Sequence, residues 1–439
     1  RQMAARREHM AQKPLPKPSE RPGLVGSFLR LLGPGVIAGA ADDDPSGIAT
    51  YSQAGAQFGF NQLWTVILTF PFMVAIQLVA ARIGRVTGKG VIANARTLYP
   101  TSVVSVLVGM IVIANTINIA ADLASMGAAV NLVIGGPIAL YALGFGLFCL
   151  VAEVFIPYRR YAHFLKWLTL VLFVYVAAVL TIHVPWGEAL SATLHPDFSW
   201  STEYLLTIVA VFGTTISPYV FFWQTAQEVE DMKLKREKPL RDQESDTGHH
   251  LRRISVDTTI GMAFSNGIAV CIMLTTAVTL HAAGITDIKT AEEAAEALRP
   301  LAGPFTFALF SIGIIGTGLL AVPILAGSAA YGVAEALHWR SSLEMKPLRA
   351  RGFYSVIALA TLIGAFAGFS NLDPIKMLFW AAVINGFVAV PIMVAMMLIA
   401  TNKSVMRAFR LGPIVAIAGW ASTALMAIAA TVLIWSWLA

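Results

Sequence analysis

Apolar residues recur along the chain in eleven long stretches separated by shorter polar or basic segments. They lie near 27–58, 61–84, 102–134, 137–156, 161–183, 203–231, 257–282, 301–338, 353–369, 375–400 and 412–436. Most reach the roughly 20 residues that cross a hydrocarbon layer as a helix. The fourth and ninth are the shortest, and the eighth exceeds one span, so part of it is expected at the interface. Two stretches are interrupted at their middle. The first runs from Gly33-Pro34-Gly35 through small apolar residues into Asp42-Asp43-Asp44-Pro45-Ser46-Gly47 before turning apolar again. A proline lacking its N–H and a glycine with a free backbone, placed after three carboxylates, predict a broken helix. The sixth reads Gly213-Thr214-Thr215-Ile216-Ser217-Pro218-Tyr219, again a mid-span proline after small hydroxyl residues.

Breaks in corresponding positions five spans apart predict a five-plus-five inverted repeat, because an odd number of helices per repeat reverses the second copy. Repeat one is expected at about 27–183 and repeat two at about 203–400, with an extra helix at about 412–436. Residues 27–439 thus form a single transmembrane domain. The first 26 residues are polar, proline-rich and basic, and read as a disordered cytoplasmic tail with no cleavable signal.

Composition agrees with this class. Of 439 residues 57% are hydrophobic and 13% charged, against about 25% charged in soluble domains. The net charge of +6 would suit a nucleic-acid binder if it were clustered on one face. Instead it follows the loops. With the N-terminus inside, only Lys289, Arg299 and Lys376 of the 31 Lys and Arg residues fall on the outer side. That asymmetry predicts an all-α polytopic protein of an inner cell membrane, N-terminus cytoplasmic and C-terminus extracytoplasmic. The charge is a topology signal, and no nucleic-acid partner is implied. Cys149 and Cys271 both sit in apolar runs and make neither a disulfide framework nor a metal cluster.

Ionisable residues at membrane depth mark an ion or substrate path, and an irregular break there lines a cavity. Asp44 is the carboxylate nearest the first break. Around it are expected the freed carbonyls near Ala41 and Thr214 and the hydroxyls of Thr214, Thr215 and Ser217, an oxygen-only set suited to hard divalent cations. Serine and threonine in membrane helices also bond their own backbone, so Thr215 reads equally as structural. Asp42 and Asp43 are ligands or vestibule residues facing water. Asp122, in the third span, pairs with a cation or lines the path. Glu153, Glu228, Glu230 and Glu335 are expected on solvated helix ends. None of the eight histidines falls mid-span, so no histidine proton relay is available.

The run from Gly33-Pro34-Gly35 through Asp44-Pro45-Ser46-Gly47 to Gln53-Ala54-Gly55-Ala56-Gln57-Phe58-Gly59 resembles the first helix of the Nramp divalent-metal transporters. That helix carries GPG, an Asp-Pro-Gly-Asn break, then QAGA and a glycine. The likeness continues through Ala121-Asp122-Leu123-Ala124 and Gly316-Thr317-Gly318-Leu319-Leu320-Ala321 and covers most of the spans. It implies a LeuT-type fold, alternating access and a divalent metal as substrate. It also implies several departures. Gly47 stands where that family has a coordinating asparagine. Ser217 replaces a methionine whose sulfur favours softer metals, Thr214 an alanine, Tyr219 a histidine linked to proton movement, and Gln224 a second histidine. Ser125 replaces a glutamate, and Asn385 is the nearest candidate for a tenth-helix glutamine ligand.

These changes remove the soft ligand, harden and widen the shell and delete proton-handling groups, as in the Nramp-related magnesium transporter branch. The expected substrate is Mg²⁺, and Mn²⁺ as well, imported partly hydrated without proton coupling. No resident cofactor, enzymatic activity or obligate protein partner is expected; the partners are the metal and the lipid bilayer. A proton-coupled Mn²⁺ or Fe²⁺ importer is the main alternative. A Na⁺-coupled amino-acid transporter of the same fold is more remote, since the acidic centre repels a substrate carboxylate. A membrane metalloenzyme would need nitrogen or sulfur ligands, or a paired acid and base, that the spans do not offer.

Overall fold

The computed structural model describes residues 38–39, 41–156, 160, 169–243, 247–370 and 372–438. The expected N-terminal tail, the opening of the first span and part of the fifth lie outside them. The described secondary structure is entirely helical, with no strand. In chain order the principal helices are α1 (Pro45–Phe58), α2 (Leu63–Thr87), α3 (Thr101–Ile134), α4 (Ile138–Phe155), α5 (Phe173–Thr181), α6 (Thr202–Thr215) and α7 (Pro218–Lys235). They continue with α8 (Thr247–Thr276), α9 (Thr306–Leu337), α10 (Arg351–Ala367), α11 (Pro374–Thr401) and α12 (Pro413–Leu438). Among the described residues eight segments are long and apolar enough to cross a membrane, α1–α2 counted as one; α10, at 17 residues, falls just short.

Both expected breaks are present and are built alike. Residues 41–42 are helical, 43–44 are not, and α1 restarts at Pro45. Likewise α6 stops at Thr215 and α7 starts at Pro218. Each proline forces its predecessor into extended backbone, Asp44 at φ −69° and ψ 171°, Ser217 at φ −82° and ψ 128°. Each proline then occupies the first helical position, where its missing N–H costs nothing. At the far end of α1, Gly59 takes φ +58°, a left-handed value that ends the helix and favours glycine.

Among the described spans the broken sixth is the innermost. Its most apolar stretch is 94% buried, against 28% for α4 and 33% for α12. Those two peripheral helices show Phe148, Val151, Phe155, Ile414, Ile417 and Trp435 on the outside. An apolar rim of this extent suits lipid and not water. Within it, α1 packs against α6, α8 and α11, and α3 lies against α9, α10 and α11. The α6–α11 crossing is tight because two glycines meet: a Cβ on Gly213 would collide with the Ala382 carbonyl and the Gly386 backbone. Gly213→Ala is therefore expected to destabilise the fold by about 1–3 kcal/mol, as overpacking does. A thermal shift in detergent would read it, and an unchanged Tm would contradict the tight crossing.

Some loop expectations are corrected. The 184–202 segment is not a plain loop: it folds the helix Trp186–Leu194, bent 118° from α5. The segment between the sixth and seventh spans, expected to cover 232–256, is shorter, because α7 runs on to Lys235 and α8 already begins at Thr247. The eighth span, expected to exceed one crossing, is indeed long: α9 is continuous for 32 residues. At a rise of about 1.5 Å per residue that is about 48 Å, so it projects or tilts. The glutamates read as solvated are largely enclosed: Glu228 bonds Arg253 at 3.0 Å, Glu230 accepts from Ser342 at 2.8 Å, and Glu335 accepts from the Ala93 N–H at 3.0 Å. These side chains tie together separate helices at the basic end, a pairing that one-dimensional periodicity does not carry.

Candidate functional site

The two breaks face each other. Gly47, in the first turn of α1, has its Cα beside Thr214: a Cβ there would lie 3.3 Å from Thr214 Oγ1 and 3.4 Å from the Asp42 carbonyl. The bare glycine thus lets the two broken spans approach closely, with no side chain between them. Asp44 caps α1, its Oδ1 accepting from the Gly47 N–H at 2.7 Å. A carboxylate at a helix N-terminus is held by the unpaired N–H groups and the dipole. From α7, Tyr219 reaches back across the break, its hydroxyl 2.9 Å from the Ala41 carbonyl and 3.2 Å from Asp44 Oδ2. With one proton to give, that hydroxyl bridges the freed carbonyl and the carboxylate.

On the facing side Ser217 donates to its own half-helix, to Thr214 O at 2.7 Å and Gly213 O at 3.1 Å. Its oxygen lone pairs stay available while its proton covers the carbonyl end of α6. Thr215 turns away from the meeting point: it donates to Val211 O at 2.6 Å and lies 3.0 Å from the Tyr51 hydroxyl. Asn385 is likewise engaged elsewhere, in a reciprocal amide pair with Asn118 on α3 at 2.9 and 3.1 Å. One helical turn further along α3 stands Asp122, fully buried, neither carboxylate oxygen having a hydrogen-bond partner. It is close enough to Asp44 for the two charges to act on each other. Asp44, Ala41, Gly47, Thr214, Ser217 and Tyr219 therefore gather at one point, with Asp122 in electrostatic reach. Thr215 and Asn385 face other partners.

Asp42 and Asp43 are 2% and 1% exposed, so neither faces open water. Both turn toward Ser265 on α8, whose hydroxyl is 3.1 Å from Asp42 Oδ2 and 3.1 Å from Asp43 Oδ1. Ser265, Tyr51 and Asn118, the partners of Asp42 and Asp43, of Thr215 and of Asn385, surround this centre and were not named by sequence reasoning; for Ser265 the polar pair Ser265-Asn266 inside an apolar span was the available signal. Among the described residues no ion pair includes Asp42, Asp43, Asp44 or Asp122. Nor does any group of three or more His, Cys, Asp or Glu there make a metal cage. The centre is instead mixed: carboxylate, carbonyl and hydroxyl oxygens, net negative. Beyond it, a cavity of about 250 Å³ runs along the face of α1 that carries Ala49, Gln53 and Gln57, with Glu203 and Asp287 in its wall.

The chain matches the family described as Nramp, natural resistance-associated macrophage protein-like, over residues 35–436. A curated relative, the divalent metal cation transporter MntH of Verminephrobacter eiseniae, is 25% identical over 300 residues, 66% of this chain and 65% of that protein. The chain therefore matches just under two thirds of that relative's length. Among solved structures, a manganese transporter of Eremococcus coleocola superposes with TM-score 0.72 at 16% identity, covering 95% of this chain and 89% of that one. Mhp1, a nucleobase-cation-symport-1 family transporter, superposes with TM-score 0.57 at 12% identity over 92% of both chains. These likenesses carry the fold, the expected LeuT-type architecture included.

Proposed function

Since the chain belongs to the Nramp family, a family of transporters and not of enzymes, we propose that it carries divalent metal ions across the membrane. Its preferred substrate is Mg²⁺, with Mn²⁺ also accepted, moved partly hydrated by alternating access and without obligatory proton coupling. One observation carries the reading: where the two broken spans meet, the near groups are carboxylate, carbonyl and hydroxyl oxygens, and Gly47 puts no side chain among them. Mg²⁺ prefers oxygen ligands and gives up its waters reluctantly, so a site of hard oxygens without nitrogen or sulfur suits it. In this reading Asp44 is the charged ligand, the Ala41 carbonyl and the Thr214 and Ser217 oxygens complete the shell, and Thr215 and Asn385 stand behind it. Asp43, Asp122 and Tyr219 line the way through. We take the transporter to be a single domain of eleven spans, two inverted five-helix repeats plus α12, with the N-terminus cytoplasmic and the C-terminus outside. An inner-negative potential is worth about 2.3 kcal/mol per charge per 100 mV, so a divalent ion needs no second driving ion to enter.

The second reading is a proton-coupled Mn²⁺ or Fe²⁺ importer; the E. coleocola protein is named a manganese transporter and the V. eiseniae protein a divalent metal cation transporter. Proteoliposomes holding a Mg²⁺ dye and a pH dye separate the two. Saturable Mg²⁺ influx with no lumenal acidification is the expected result. Mn²⁺ influx with matched acidification and no Mg²⁺ signal would reject the magnesium reading.

A further inference from the structure

Asp42 and Ser265 have no part in the centre proposed above and Asp43 only lines the way through, yet the three form a built constellation of their own. The residues just before the first break cross α8 at backbone contact, because a Cβ on Gly39 would strike the Gly261 carbonyl. One turn beyond Gly261 on the same face of α8 stands Ser265, and about one turn beyond Gly39 stand Asp42 and Asp43. The glycine crossing thereby presses two carboxylates against one hydroxyl. That hydroxyl has a single proton and sits 3.1 Å from an oxygen of each, so it satisfies only one of them. The other oxygen of Asp43, Oδ2, is buried without any hydrogen-bond partner in a side chain only 1% exposed. A buried carboxylate left this way is costly unless a cation or donor meets it. The further charge acting on the pair is another carboxylate, Asp44, and no ion pair among the described residues relieves it.

We propose that Asp42, Asp43 and Ser265 form a second divalent-cation station, distinct from the Asp44 centre and on its α8 side. Two carboxylates and one hydroxyl give three hard oxygen ligands and two negative charges, matching a small divalent ion that keeps water in its remaining positions. Asp44 belongs to the next residue but looks the other way, toward Gly47 and Tyr219. Two stations on opposite sides of one break would let an arriving ion help expel its predecessor, as adjacent sites do in conducting pores. The inference rests on the proposed transport of divalent metal, and its test separates the two.

The test is the number of Mn²⁺ ions bound by the full chain in detergent, read from the EPR signal of free Mn²⁺ during titration. Two ions per chain are expected. The Asp42→Asn/Asp43→Asn double variant is expected to bind one, and Asp44→Asn also one, each losing a different ion. Ser265→Ala leaves the carboxylates and the helix in place, so it serves as the variant least open to misfolding. It is expected to weaken only the second ion, by about tenfold or more, since one neutral ligand is lost while both charges stay, and loss even of a group that only supports metal ligands costs about 10–100-fold. A single ion, abolished by Asp44→Asn and untouched by the other variants, would overturn the second station and leave the proposed function standing. A single ion abolished only by the double variant would overturn both this proposal and the assignment of Asp44. Loss of both ions in Asp44→Asn alone would show one coupled site, and the second station would again fall.

Discussion

Asp44→Asn is expected to bring Mg²⁺ uptake down by more than about 100-fold, to the level of empty liposomes. Losing a group that merely holds a metal ligand in place costs about 10–100-fold; here the charged ligand itself is lost. Asparagine is the informative replacement because it keeps the local fold. Its Oδ1 can still accept the Gly47 N–H that Asp44 now accepts at 2.7 Å, and asparagine caps helices about as well as aspartate. Its amide can still meet the Tyr219 hydroxyl, now 3.2 Å from Asp44 Oδ2. What disappears is one negative charge between the half-helices. Uptake assays on variant protein with unchanged elution and Tm would read the effect. Retention of a tenth or more of wild-type uptake would show that the ion is held elsewhere, and the central role of Asp44 would be lost.

Much of this centre was legible before any coordinates, for a local reason. A proline in mid-span acts on its own neighbours, so Asp44-Pro45 and Ser217-Pro218 announce their breaks and their extended predecessors from sequence alone. Clustering of Lys and Arg in alternate loops is equally local, and the span boundaries at α3, α4, α11 and α12 agree with the structure to within about two residues. What stayed hidden depends on pairing across the fold. Asn385 was chosen as a ligand candidate because it is polar in an apolar helix, but its amide is paired with Asn118, 267 residues away in sequence. Asp42 and Asp43 read as vestibule residues until α8 brought Ser265 to them. Glu228 read as solvated because Arg253, its partner, lay in what looked like loop. Tyr219 was legible as a substitution, yet its bridge from the Ala41 carbonyl to Asp44 belongs to geometry that no spacing rule contains. Hydropathy shows how far each side chain must be from water, and says little about which buried group it will meet.

Ser217→Met is the substitution expected to move selectivity most. It installs the thioether that the family resemblance places at the second break, beside Thr214 and opposite Gly47. The change acts twice. It removes the hydroxyl that covers Thr214 O and Gly213 O, leaving the carbonyl end of α6 less satisfied. It also places a soft, polarizable sulfur and more volume into a hard shell. Sulfur ligands favour soft ions, while Mg²⁺ requires oxygen and room for its waters. Mg²⁺ uptake should therefore fall as Cd²⁺ and Mn²⁺ compete better, shifting the Cd²⁺-to-Mg²⁺ uptake ratio by about tenfold or more. A tenfold shift corresponds to about 1.4 kcal/mol of differential binding. Ser217→Ala separates the two effects, since it deletes the oxygen without adding sulfur: it should lower Mg²⁺ uptake and give Cd²⁺ no advantage. Competition uptake of both ions into the same vesicles is the measurement. If Ser217→Met leaves the ratio where it stands in the wild type, the side chain at 217 does not face the ion, and its hydroxyl serves only the two carbonyls it already bonds.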